Sequence, residues 1–190
     1  NYDIVWSFQY SLCGPINASA GFATFLWNTD ATILTGGGIG RALSYGPSTN
    51  YTGFNNVSAL SGAVLGIAFD TSGLFATTGN GFTTGTPALP DSLIIRSGMN
   101  YLSSVQLSAV DTNFTLLSTA EEFNTLRFNL TNAGQQLKIA LLDKQSMRFN
   151  EIYNVVTYLP MLSTTQYRIG VSYASPVSGN VKAQLQVKDL

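Results

Sequence analysis

Apolar and polar residues alternate along much of the chain. Trp6, Phe8, Tyr10 and Leu12 fall on one face of an extended segment and Ser7, Gln9 and Ser11 on the other, the period of a strand with one buried side. The same alternation predicts strands over 22–27, 105–107, 114–116, 126–130, 137–141, 167–173 and 181–187. Between Ala63 and Phe69 the run is apolar on both faces, as in a strand covered on two sides. Turn residues punctuate these segments, among them Gly36-Gly37-Gly38, Gly46-Pro47-Ser48, Pro87-Ala88-Leu89-Pro90 and Asn132-Ala133-Gly134. The one helix expected is a short turn over 118–123, where Ser118 or Thr119 would cap and Glu121 and Glu122 suit the N-terminal dipole. Glu151 lies in a segment without pattern. The expectation is an all-β chain, an antiparallel β-sandwich in a single domain over 1–190. The long, weakly patterned stretches 35–61 and 71–91 are where function is expected.

Composition narrows the chemistry. The 190 residues include no histidine, which removes Ser-His-Asp triads and His-based zinc sites. The lone cysteine, Cys13, has no partner for an internal disulfide or a thiolate metal site. Nine basic and ten acidic residues do not cluster, so neither nucleic acid nor an anionic membrane surface is an expected partner. Polarity comes instead from 19 Ser, 20 Thr, 15 Asn and 18 Gly, which favour strands and turns over exposed helices. No run reaches the roughly 18 apolar residues of a membrane span, and the opening residues lack the charged and apolar regions of a signal peptide. Sequons stand at Asn17, Asn50, Asn56, Asn113 and Asn129; chance alone gives roughly three in this composition, so they say little about glycosylation.

Four stretches, Gly21-Phe22-Ala23-Thr24-Phe25-Leu26, Gly36-Gly37-Gly38-Ile39-Gly40, Gly66-Ile67-Ala68-Phe69-Asp70-Thr71 and 167–175, together resemble the L-type lectins, the family of the legume seed lectins, with the likeness closest to bacterial and viral lectin-like domains. Gly21-Phe22-Ala23-Thr24-Phe25-Leu26 is similar to the family's Asp-Gly-Phe-Ala-Phe-Phe-Leu strand. Gly36-Gly37-Gly38-Ile39-Gly40, followed by Leu43-Ser44-Tyr45, resembles its glycine-rich loop. Gly66-Ile67-Ala68-Phe69-Asp70-Thr71 resembles Val-Glu-Phe-Asp-Thr, and 167–175 resembles Val-Arg-Val-Gly-Phe-Ser-Ala-Ser. Their order and spacing imply the concanavalin A-like jelly roll.

The family's sugar site is built by four loops, and the resemblance carries only part of it over. The acceptor aspartate of the first loop is Ala20 here. The glycine amides of the second survive at Gly37 and Gly38. In the third, the Asn position falls near Gly73-Leu74-Phe75, with Asn80 further along, and the fourth corresponds to 175–180, including Ser178 and Asn180. Tyr45 and Phe75 are the stacking candidates for a sugar's C–H face, among the loop aromatics Trp27, Tyr45, Tyr51, Phe54, Phe75 and Phe82.

The family's metal positions read Ala68, Asp70 and Arg96, where a Glu, an Asp and a His would stand. Only Asp70 and Asp91 remain as ligands if calcium is retained, too few carboxylates for a cation that takes six to eight oxygens, so no metal or other cofactor is expected. The expectation is instead that Arg96 supplies the missing positive charge and forms an ion pair with Asp70. Asp70 can equally serve as a loop-anchoring carboxylate for the amides of 71–73.

Concanavalin A-like glycoside hydrolases carry acids at alternating positions of one strand. Here that strand offers only Ala68 and Asp70, so no catalytic residue is expected. Two functions are compatible with these features. One is a non-catalytic carbohydrate-binding module, extracellular or on a virion surface, attaching to host or surface glycans and gaining avidity within a larger multimeric assembly. The other is a structural or decoration domain with a degenerate sugar site, whose partner is a neighbouring protein subunit.

Overall fold

The computed structural model describes residues 3–13, 21–29, 42–43, 45–47, 58–78, 82–110, 122–157, 159, 167–174 and 184–188. Among the described residues ten strands form two five-stranded sheets. The first has the order β10(Gln184–Lys188), β1(Ile4–Cys13), β6(Asn124–Thr131), β7(Gln136–Asp143), β8(Arg148–Val156). The second runs β5(Asn100–Gln106), β4(Ser92–Ser97), β3(Ala63–Asp70), β2(Gly21–Asn28), β9(Tyr167–Ala174). Every pairing is antiparallel. The expected helix over 118–123 falls mainly outside the described residues; a single helical turn, α1(Leu107–Val110), instead comes directly after β5. None of the described helices is long and apolar enough to cross a membrane.

The alternation in the sequence becomes the core between the sheets. Trp6, Phe8, Tyr10 and Leu12 of β1 and Leu126, Phe128 and Leu130 of β6 meet Phe22, Leu26, Leu65, Ile67, Phe69, Leu93 and Ile95 of the second sheet. Phe128 stacks on Trp6 and Phe8, with centroids 5.0 and 5.6 Å away, and meets Phe69 edge-on across the gap at 6.4 Å. One polar thread crosses this layer. The Trp6 indole N–H donates to Thr24 Oγ1 (3.2 Å), and the Thr24 hydroxyl donates to the Gly170 carbonyl (3.1 Å), so each buried polar group of the thread has a partner.

Besides β3, where Val64 is an extra residue opposite Leu26 and Trp27, two edge strands depart from the alternation rule. In β8, Ile139 pairs with Tyr153 and Ala140 with Glu151, leaving Ile152 as an extra residue. In β5, Ile95 pairs with Ser103 and Arg96 with Tyr101, leaving Leu102 extra. Such bulges shift the side-chain phase by one, and here both extra residues pack against the inter-sheet core. The unpatterned segment around Glu151 is therefore a strand. Both are edge strands, and a Ser103–Tyr153 hydroxyl contact joins them across the sheets.

The outer face of the second sheet carries another apolar layer. Ala23, Phe25, Ala68 and Ile94 from the strands meet Leu43, Tyr45, Leu60, Phe75, Ala76 and Phe82 from the connecting segments. This is why the 63–69 run is apolar on both faces. Gly66 makes room for it, because a Cβ there would lie 2.8 Å from the Tyr45 ring.

Candidate functional site

Register brings the strand ends that border the segments 14–20, 71–91 and 175–183 to one end of the second sheet. Gly21 pairs with both Asp70 and Ala174, Asp70 pairs with Ser92, and Ser92 pairs with Gln106. From this row the chain leaves into the segments 71–91 and 175–183, and it arrives there from 14–20. Leu43 is tied to β9 by the Ser172 hydroxyl, which donates to the Leu43 carbonyl.

Asp70 closes β3 and organises the loop after it. Its Oδ1 accepts the Ser72 amide (2.8 Å) and hydroxyl (2.7 Å), and its Oδ2 accepts the Phe75 amide (2.8 Å). A carboxylate followed by small polar residues and glycine favours such local side-chain to backbone bonding. Gly73 takes a left-handed φ of 68°, and a Cβ there would sit 2.1 Å from the Leu89 backbone, so only glycine fits this crossing. A 3-10 turn, Leu74–Ala76, comes next. Further along, the Thr86 amide returns to the Ala76 carbonyl (2.9 Å) and the Asp91 amide to the Thr71 carbonyl (3.1 Å), bracing the loop against itself.

Arg96, on the outer face of β4, is fully buried at 0% exposure. Its Nε donates to the Phe75 carbonyl (2.9 Å), Nη1 to those of Thr84 (2.8 Å) and Met99 (3.0 Å), and Nη2 to that of Thr77 (3.0 Å). The guanidinium carbon lies 3.6 Å from the Phe82 centroid and 5.5 Å from that of Phe75, a cation–π arrangement in a desolvated setting. Burial pushes Arg96 down to about 10, with Tyr45 and Tyr101 opposing, so it stays charged at neutral pH. Burial pushes the Tyr45 phenol up, with Arg96 opposing.

Two expectations need correction. Asp70 and Arg96 do not form an ion pair. They grip opposite polar groups of the same residue, Asp70 accepting the Phe75 N–H and Arg96 donating to the Phe75 C=O. The carboxylate meets its local amides first, and the guanidinium is drawn to carbonyls that the buried loop would otherwise leave unpaired. Secondly, Tyr45 and Phe75 present no face to a sugar, since both are 0% exposed. Their rings form a chain from Phe25 through Tyr45 (6.3 Å) and Phe75 (5.9 Å) to Phe82 (5.2 Å). Sequence alone suggests solvent-facing loop aromatics because the second apolar layer has no periodic signature.

Gly37, Gly38, Asn80, Ser178 and Asn180 lie outside the described residues. Asp91 is exposed at a left-handed φ of 48°, a conformation that Asp and Asn tolerate better than most. Partial burial and the nearby Asp70 charge push its carboxyl up. Among the described residues no three of His, Cys, Asp and Glu come together as a metal group. The donors fit poorly to calcium as well, because both Asp70 oxygens already face N–H or O–H donors and four loop carbonyls are turned onto Arg96. The Phe82 platform and the carbonyls of Thr77, Thr84 and Met99 are partners of Arg96 that the sequence does not mark out. The arginine at the end of an apolar strand is the one signal it offers.

The backbone matches solved lectins. Lectin II from Ulex europaeus aligns over 97% of this chain and 70% of its own, with a TM-score of 0.59 and 13% identity. The fold is that of the legume lectins. A lectin from Bauhinia forficata in complex with GalNAc gives a TM-score of 0.57 at 13% identity, covering 97% of this chain and 70% of that one. The metal-free form of Griffonia simplicifolia lectin I-B4 gives 0.54 at 14% identity, covering 98% and 72%. No protein-family model and no curated protein sequence matches the chain. The likeness to the legume-lectin sandwich is thus one of architecture.

Proposed function

We propose that the chain is a non-catalytic carbohydrate-binding module that uses the loop end of the second sheet to attach to host or surface glycans. The observation that carries this reading is the row Ala174, Gly21, Asp70, Ser92 and Gln106, which gathers the loop ends on a legume-lectin sandwich. With Tyr45 and Phe75 committed to packing, the groups offered to sugar are the amides of Gly37 and Gly38 and the side chains of Asn80, Ser178 and Asn180. Neutral sugars suit such a surface, where hydrogen bonding replaces charge. Single-site affinity is low in this scheme, and the useful strength comes from display on a multimeric, extracellular or virion-surface assembly. Asp70 is saturated by its own loop and Glu151 bonds Lys138 on the other sheet at 3.8 Å. The strand that carries alternating acids in the related glycoside hydrolases thus offers, in Ala68 and Asp70, no free pair, which argues against a hydrolase reading.

The burial of both stacking candidates favours a second reading, a structural or decoration domain that meets a neighbouring subunit through the same end. A glycan array probed with the chain displayed multivalently separates the two. The first reading expects a discrete set of bound glycans, and at least a tenfold weaker signal for an Asn80→Ala, Asn180→Ala double variant. No binding by the multivalent form eliminates it in favour of the second.

A further inference from the structure

We infer that Arg96 is the resident cation of this loop end, and that the 71–91 loop takes its order from that side chain and not from a divalent metal. The inference concerns the architecture of the loop and stands whether or not a glycan binds there.

A loop folded over an apolar sheet buries carbonyl groups that have no strand partner, and each such group left unpaired is destabilising. A calcium ion can gather carbonyl oxygens of this kind, and so can the planar fork of a guanidinium with its five donors. Here the fork is in place. The carbonyls of Phe75, Thr77 and Thr84 come from three points of the loop, and that of Met99 comes from the β4–β5 turn, so one side chain ties four backbone sites. Phe82, also in the loop, closes one face of the guanidinium at 3.6 Å. Asp70 completes the clamp from the other side by accepting the Phe75 amide, so both polar groups of the 3-10 turn's middle residue are held by charged side chains.

This arrangement leaves little for a metal to do. The carbonyls are spent on N–H donors, Asp70 Oδ1 is doubly occupied by Ser72, and a second cation would enter the field of the first. Lysine would substitute only in part, since a point charge with three donors matches neither the four-carbonyl geometry nor the stacking on Phe82.

Hydrogen exchange of the full chain, read by peptide across 71–91 and across β1 and β6, tests this with calcium alone as the probe. In wild type, excess chelator and millimolar calcium should both leave protection of 71–91 and the unfolding temperature unchanged. Arg96→Met should raise exchange in 71–91 at least tenfold while β1 and β6 change far less, and Arg96→Lys should recover only part of the loss. A calcium-dependent gain, or a chelator-dependent loss, in protection of 71–91 would overturn the inference. So would Arg96→Met that folds with wild-type protection of the loop. Should Arg96→Met fail to fold, the metal arm on the wild-type chain decides the question by itself.

Discussion

The two faces of the second sheet are both apolar and both buried, yet they are built differently. Between the sheets, strand meets strand. Phe22, Ile67 and Ile95 point at Phe8, Leu126 and Phe128, and the backbone on both sides is already paired in ladders. Hydrogen bonds in this layer are few, the Trp6 to Thr24 to Gly170 thread and the Ser103–Tyr153 hydroxyl contact among them. On the outer face, strand meets loop. Phe75, Ala76 and Phe82 bring irregular backbone with them, and the layer is organised around a buried charge whose hydrogen bonds end on that backbone. The lesson is physical. A regular surface can be covered by apolar packing alone, whereas a loop buried on it requires a polar side chain that can reach several carbonyls at once.

The contrast can be broken from either face. Phe128→Ala removes a ring that contacts Trp6, Phe8 and Phe69, and should cost about 4 kcal/mol in urea unfolding. The loss should appear cooperatively over the whole molecule. Gly66→Ala drives a methyl to 2.8 Å from the Tyr45 ring on the other layer and should cost about 2 kcal/mol. Combining it with Tyr45→Leu should cost less than the two single changes together, because the clash is then gone. A strictly additive result would place the strain elsewhere.

The smallest effect is on pH dependence. The raised Asp91 carboxyl, pushed up by partial burial and the charge on Asp70, favours the neutral form in the folded state. Its contribution to stability is full below the ordinary aspartate value and is lost as pH rises through the higher folded value. Asp91→Asn keeps a residue that tolerates the left-handed backbone. It should flatten that part of the stability profile and leave the variant at least as stable as wild type near neutral pH, as read from unfolding temperatures across the acid range.

Legibility in the sequence divides along the same line. The strands β1, β2, β6, β7 and β9 announce themselves because each has one side in the inter-sheet core and keeps its phase. Of the edge strands, β8 does not and β5 shows only its last residues, where the alternation predicts a strand over 105–107, since Ile152 and Leu102 are inserted residues that turn a period-two pattern out of step halfway along. At the site, Asp70, Arg96, Tyr45 and Phe75 all stand out in the sequence, and all four belong to one packed cluster around the 71–91 loop. Their roles are less legible. Nothing in the order of residues says that Tyr45 lies over Gly66 and not over solvent, or that the carboxylate and the guanidinium meet at a shared peptide and not at each other.

The sequence by itself determined the class of fold, through alternation and turn residues, and it determined which chemistries are excluded, through the absence of histidine and the scarcity of charge. Those properties are local or additive, so order along the chain is enough to state them. Tertiary structure decided the partners of Asp70 and Arg96 and the burial of Tyr45 and Phe75. Those depend on loops brought over a sheet from positions distant along the chain, and the carbonyls that capture the guanidinium exist as a set only once that loop has closed.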